Sequence, residues 1–327
     1  MLSLTCSLST RSVRKVEILE SAHKSYRRLS PLDRPVSRLV LGTLLVDPAV
    51  LDEWVRLGGN AIDTARVYGN GAAERDLGAW LAGRPDVRDD LVLITKGAHP
   101  DGARRRVTAE EIAFDLDASL AALGRPVDVY MLHRDDPHLP VGPIMEALNE
   151  HVRAGRVRAL GASNWTCARI DEANAYAADH GLEGFCCSSP HLSLATQNEE
   201  HWDDTRSARE PAILEWHERG GMPLFAWSAQ ARGFFAGHES ESVDRVYDND
   251  DNRERRRRAS ELAARLGGTA NQVALAWVLR RSFPVYAVIG ARTIAQLREA
   301  VGALEISLSD DEERWLDLGL DPPMTRG

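Results

Sequence analysis

From Arg38 onward the apolar residues fall in short, dense runs. They are RLVLGT (38–43), NAIDTA (60–65), LVLITK (91–96), VDVYMLH (127–133), VRALGAS (157–163), GFCCSS (184–189), MPLFAWS (222–228) and PVYAVIGA (284–291). Within each run the apolar positions are almost unbroken, as expected of strands covered on both faces. The stretches between them change to a helical period. In TAEEIAFDLDASLAAL (108–123), Thr108 and Glu111 stand at capping-box spacing, and Ile112, Leu116, Leu120 and Leu123 form one apolar stripe.

Eight strand-then-helix units predict a single-domain (β/α)8 TIM barrel, with its body over residues 37–327. Three segments fall outside the repeat. Residues 1–36 form an N-terminal extension of weak pattern, read as a flexible arm, a pre-barrel element or a misplaced start. Residues 237–258, with opposite charge blocks, read as a solvated loop running into a helix or as a lid over a ligand. Residues 307–319, with Ser309 and Glu312 at capping-box spacing, read as a terminal helix packed on the barrel.

Composition narrows the function classes. At 327 residues, 43% hydrophobic and 27% charged, the chain has the material for a large core. Forty basic against forty-nine acidic side chains give a net charge of −9, which argues against nucleic acid as a partner, since such binding draws on clustered Lys and Arg. The Arg run 253–258 is offset by Asp248, Asp250 and Asp251 just before it. No run approaches the roughly 20 apolar residues of a membrane span, and the first residues lack a secretory apolar block. Cys6, Cys167, Cys186 and Cys187 show no CxxC spacing, so a reduced, cytoplasmic setting is expected. Cys186 and Cys187 alternate across a strand and are read as packing residues, as are Trp54, Trp165, Trp202 and Trp277, with Trp165, just beyond Asn164, read alternatively as reaching the mouth.

Candidate chemistry lies where the apolar runs end, because a (β/α)8 barrel builds its site at the C-terminal ends of its strands. Asp63, Lys96, His133, Ser163 with Asn164, and Trp227 fall at the ends of the second, third, fourth, fifth and seventh runs, and the steps from 63 to 96 and from 96 to 133 each span one βα unit. Tyr68 follows Asp63 in ARVYGNG. A phenol titrates near pH 10 and becomes a useful proton donor beside a cation such as Lys96, which needs a counter-charge such as Asp63. With His133 as a further donor, the set suits protonation of a carbonyl that receives a hydride. LHRDDPH offers no open ligand set, so no metal is expected. His99 reads equally as a pocket-lining or a solvent-facing residue.

The segments GGNAIDTARVYGNGAAERDLGAWL (58–81), LVLITKG (91–97), DVYMLHRDDP (128–137), GRVRALGASNW (155–165), FAWSAQARGFF (225–235) and GARTIAQL (290–297) resemble those of aldo-keto reductases, in the same order and over residues 38–304. The resemblance implies an NAD(P)H-dependent barrel with Tyr68 as proton donor, Lys96 lowering its pKa, Asp63 holding Lys96 and His133 orienting the carbonyl. It also implies cofactor contacts. Ser163 and Asn164 fall at the nicotinamide carboxamide, Gly42 and Thr43 on the first strand, and Trp227 at the aromatic that stacks on the nicotinamide. Ser228, Gln230 and Arg232 fall along the pyrophosphate, and Gly290, Ala291, Arg292, Gln296 and Glu299 near the adenosine phosphate.

The chain departs from the family at three places: Ser189 stands where a Gln is usual, Ala300 where an Asn is common, and Gly290 where a Lys is often seen. Arg292 supplies a candidate contact to a 2′-phosphate, so NADP(H) is expected ahead of NAD(H). The expected activity interconverts a small-molecule carbonyl (aldehyde, ketone or sugar) and its alcohol. The alternatives are a cofactor-binding regulatory or partner subunit with negligible turnover, or an enzyme used to oxidise a sugar or polyol.

Overall fold

The computed structural model describes residues 25–44 and 46–319 of the chain. The eight apolar runs all become strands: β3 (Leu39–Gly42), β4 (Ala61–Asp63), β5 (Val92–Gly97), β6 (Val127–Leu132), β7 (Val157–Ser163), β8 (Phe185–Ser189), β9 (Leu224–Ala226) and β10 (Val285–Ile289). They pair in parallel and in order, and β10 closes on β3 to complete the barrel. Helices on the outside bury the strands' outward residues. Helix α1 spans Pro48–Arg56, α2 Ala72–Ala82 and α3 Ala109–Leu123, the last with the capping box of Thr108 and Glu111. The terminal helix Asp310–Leu316 likewise starts on a capping box, from Ser309 and Glu312.

The segment just before the barrel has a structure the sequence reading did not assign. Strands β1 (Tyr26–Arg28) and β2 (Pro35–Ser37) form an antiparallel hairpin, so Ser37 ends a strand of the hairpin. Residues 1–24 of the extension lie outside the described residues. Leu29 and Val36 of the hairpin are fully buried and pack against the barrel's inner residues Val40, Ala61, Val92, Val129 and Ala159. Each such side chain contributes roughly 1.5–3 kcal/mol by burial. Polar stitches fix the hairpin's place: Ala61 N donates to Ser37 Oγ at 3.0 Å, Asn60 Nδ2 to Pro35 O at 2.9 Å, and Tyr286 OH to Arg28 O at 2.9 Å.

The charged stretch 237–258 is mostly helical. One helix spans Glu241–Tyr247 on an N-cap from Ser240, and the next spans Asp250–Leu266 on an N-cap from Asn249. Buried Val243, Val246 and Tyr247 seat the first helix, which explains why a segment rich in charge does not stay a loop. The Arg run lies inside the second helix and pairs with acids one turn away, Arg257 with Glu254 and Glu261, and Arg258 with Glu254. Among the described residues no helix is long and apolar enough to cross a membrane. Cys167, Cys186 and Cys187 are free thiols.

Candidate active site

A two-residue period carries the barrel's inner face from apolar to ionisable side chains. Val40, Ala61, Val92, Ile94, Val129, Met131, Ala159, Cys187, Phe225 and Tyr286 belong to one buried cluster with the hairpin. Because strand side chains alternate between faces, on seven of the eight strands these rows continue inward to Gly42, Asp63, Lys96, His133, Ser163 (by way of Gly161), Ser189 and Trp227. These are seven of the residues singled out above, and the closed barrel brings them to one mouth.

Lys96 Nζ donates to Asp63 Oδ1 at 2.5 Å and to Thr64 O at 3.0 Å, and both members of the ion pair are about 95% buried. Burial opposes the charge on Lys96. The pull of Asp63 and of the Tyr68 phenol, with their hydrogen bonds, outweighs it and holds Lys96 above its ordinary range. The pair is therefore ionic, although burial also pushes the Asp63 carboxyl up against the pull of Lys96.

Tyr68 is placed by the turn after β4. Gly71, at φ +82°, lies in the left-handed region that glycine enters without strain, and Asn70 also has a positive φ, of +53°. The ammonium of Lys96 lies 5.4 Å from the centre of the Tyr68 ring, and the His133 ring 6.1 Å away, edge to face. The expectation that Lys96 lowers the phenol's pKa needs a qualification. Burial, with the charge of Asp63, pushes Tyr68 up more strongly than Lys96 and Arg134 pull it down, so the net direction is upward.

His133 is held by its backbone, whose N–H donates to Gly97 O at 2.8 Å. Gly97 is required here, since a Cβ would lie 1.9 Å from the hydroxyl of Tyr130 behind it. Burial, then Lys96, Arg134 and His99, hold His133 well below its ordinary pKa, so the ring is neutral, and its Nδ1 has no partner. His99 is half-buried, with its ring 4.9 Å from that of His133, which places it in the mouth. Its Nδ1 donates to Pro100 O at 2.9 Å.

On the opposite wall, Asn164 takes a left-handed conformation at φ +60°. Its Oδ1 accepts from Trp227 Nε1 at 3.1 Å and from Arg206 N at 3.2 Å, and its Nδ2 donates to Ser163 Oγ at 3.0 Å.

The model of the aldo/keto reductase family matches residues 48–317. The chain belongs to the aldo-keto reductase family. It is 31% identical to the norsolorinic acid reductase stcV of Emericella nidulans, over 81% of this chain and 69% of the relative. It is also 31% identical to an uncharacterized oxidoreductase, YrpG, of Bacillus subtilis, over 86% and 91% of the two chains. Among solved structures, a thermostable aldo-keto reductase in complex with the inhibitor epalrestat superposes with a TM-score of 0.71 at 26% identity, covering 90% of this chain and 98% of the other.

In this aldo-keto reductase the remaining predicted positions are unevenly available. The Thr43 hydroxyl is buried and unpartnered at the end of β3. The Ser189 hydroxyl donates to Phe225 O at 2.9 Å, so only its lone pairs face other groups. Ser228 and Arg232 take positive φ of 51° and 54°, and Gln230 Oε1 accepts from Gly290 N at 3.3 Å. Gln296 Oε1 accepts from Arg292 N at 2.9 Å, leaving the exposed Arg292 guanidinium with no partner among the described residues. Ala291 is buried beside it, while Glu299 accepts from Thr269 Oγ1 at 2.6 Å.

Sequence reasoning missed two features of the mouth. Arg134, next to His133, is buried and donates to His133 O at 2.8 Å, and the sequence pattern gave it no role. Trp202, read as a packing residue, is 47% exposed because it sits on the connection after β8 and not on a helix, whereas Trp54, Trp165 and Trp277 are buried. Asp135 and Asp136 are taken up by Arg169 and by a turn through His138 N, and the described residues contain no group of three or more metal-ligating side chains.

Proposed function

We propose that the protein is an NADP(H)-dependent reductase that interconverts a small-molecule aldehyde or ketone and its alcohol, with Tyr68 as proton donor. The observation that carries this reading is the buried Asp63–Lys96 ion pair beside Tyr68, with a neutral His133 across the mouth. A bound reduced nicotinamide supplies the hydride for the carbonyl carbon. His133, in its Nε2–H form, donates to the carbonyl oxygen and orients it. As negative charge develops there, Tyr68 passes its phenolic proton to the same oxygen. An alkoxide is a far stronger base than a phenolate, so the transfer runs downhill even from a phenol raised by burial. Lys96 then stabilises the phenolate until solvent returns the proton, and Asp63 keeps Lys96 charged throughout.

The cofactor assignment draws on unspent groups. Thr43 Oγ1 is buried and unpartnered, Gly290 faces open space within 4 Å of where a Cβ would stand, and the free guanidinium of Arg292 suits bidentate pairing with a 2′-phosphate. The test is loss of reduced-nicotinamide absorbance with a panel of aldehydes and ketones. Turnover with NADPH, preferred over NADH, is the expected result, and failure to bind either nucleotide overturns the reading. Arg292→Ala should weaken NADPH about tenfold or more, by loss of a charge-assisted pair, while leaving NADH unchanged. Equal effects on both cofactors would remove Arg292 from that role.

A further inference from the structure

The connection from β8 to the next helix, residues 190–210, contains no helix of its own. Within it, residues 201–206 contact several sides of the barrel mouth. At the β9 side, Arg232 Nη1 lies 2.6 Å from His201 Nε2, and the Trp202 ring lies 5.6 Å from that of Trp227 and 5.7 Å from the Arg232 guanidinium carbon. At the β5 and β6 side, Asp204 pairs with Arg105, and Asp203 O accepts from Arg134 Nε at 3.3 Å. The strap then returns to the end of β7, where Arg206 N meets Asn164. The β9 and β5–β6 contacts lie on opposite sides of an eight-stranded ring, so the segment links two sides of the mouth.

The Trp202 indole, beside Trp227 at the β9 side of the mouth, is left half in water. Five large apolar side chains are exposed among the described residues, and three of them, Leu44, Val67 and Trp202, stand on the connections leaving β3, β4 and β8 at the mouth. Exposed apolar surface is costly to hydrate, and when it gathers at a concave polar site it marks where a ligand's apolar part is covered. An indole held by His201, Arg232 and Trp227 offers a rigid flat face, to which a second ring adds stacking beyond simple burial.

We propose that Trp202 is a specificity-determining residue and that the site takes carbonyl compounds bearing a planar aromatic group. The ring lies against Trp202 while the carbonyl reaches Tyr68 and His133. A polyhydroxylated substrate would leave the Trp202, Leu44 and Val67 rim uncovered and gain nothing from the indole. This inference rests on the carbonyl-reductase reading above.

The test uses the full chain with cofactor saturating for each variant and three substrates: benzaldehyde, butanal and glyceraldehyde. We expect kcat/KM for benzaldehyde to exceed that for the other two by about tenfold, the scale of one well-formed aromatic contact. Trp202→Ala should remove most of that advantage through a higher KM, while changing butanal by less than about twofold. Trp202→Phe, which keeps a flat ring, should retain most of it. Turnover without preference for the aromatic aldehyde, or an equal loss on benzaldehyde and butanal, overturns the role of Trp202. No turnover of any of the three, with either nicotinamide cofactor, instead overturns the reductase reading on which it rests.

Discussion

The two ends of the barrel are built from the same rows of inward-facing residues and end in opposite chemistry. At the bottom, Val40, Ala61, Val92 and Val129 meet Leu29 and Val36 of the hairpin, and the interior is sealed by apolar packing. At the mouth, the same rows continue as Asp63, Lys96 and His133, where Thr43 Oγ1, Thr64 Oγ1 and His133 Nδ1 are buried without partners. Unspent polar atoms cost stability, and the apolar seal at the other end offsets that cost. One end is closed by apolar packing and the other keeps buried polar atoms without partners.

Lys96→Met should blur this division most, because Lys96 stands at the junction of the two ends. It leaves Asp63 buried without its cation, a change worth about 3–5 kcal/mol of stability, and removes the charge that supports Tyr68. Chemical denaturation and reductase assays should both register it, and an unchanged unfolding midpoint would show that the pair is not needed for folding.

Tyr68→Phe should separate the ends. Loss of general acid catalysis should lower kcat by about 10²–10⁴-fold, while cofactor affinity and unfolding midpoint hold nearly constant. A variant that keeps full activity would assign the proton to another group.

Leu29→Ala is the converse, with about 2–5 kcal/mol lost from the sealed end and kcat/KM within about twofold for the protein that remains folded. A large fall in kcat/KM at unchanged stability would show that the two ends are not independent.

Acid should distinguish the ends by a smaller margin. Burial first, then Arg209 and His201, push His191 down to about 3, and burial, Arg232 and Arg245 push His201 down to about 4, both near the mouth. Below pH 6.5 the unfolded chain binds protons that these native rings refuse, so stability falls as the pH drops toward their folded values. For fully buried His191 this amounts to about 1–2 kcal/mol between pH 7 and pH 5. Hydrogen exchange should show the connection after β8 loosening before the hairpin. Simultaneous loss of protection would contradict the division.

Much of the mouth is legible in the amino-acid sequence. The period-2 row that runs from Ile94 to Lys96, or from Met131 to His133, marks both the strand and the residue at its end, because strand geometry fixes which face each side chain meets. The hairpin was not legible. Its short strands gain stability only by stitching to Asn60 and Ala61 and by filling a barrel that forms from residues far along the chain. The helix Glu241–Tyr247 was hidden by its charge, since three buried residues, not its composition, decide where it lies.

Local pattern thus determined the eight strands, their inner faces and the residue types at the strand ends, each a matter of neighbours along the chain. Only tertiary structure decided the direction of the Tyr68 shift, the burial of Arg134 and the place of Trp202 beside Trp227 at the mouth. Desolvation and anchoring depend on what distant segments bring together, and no stretch of sequence contains its own surroundings.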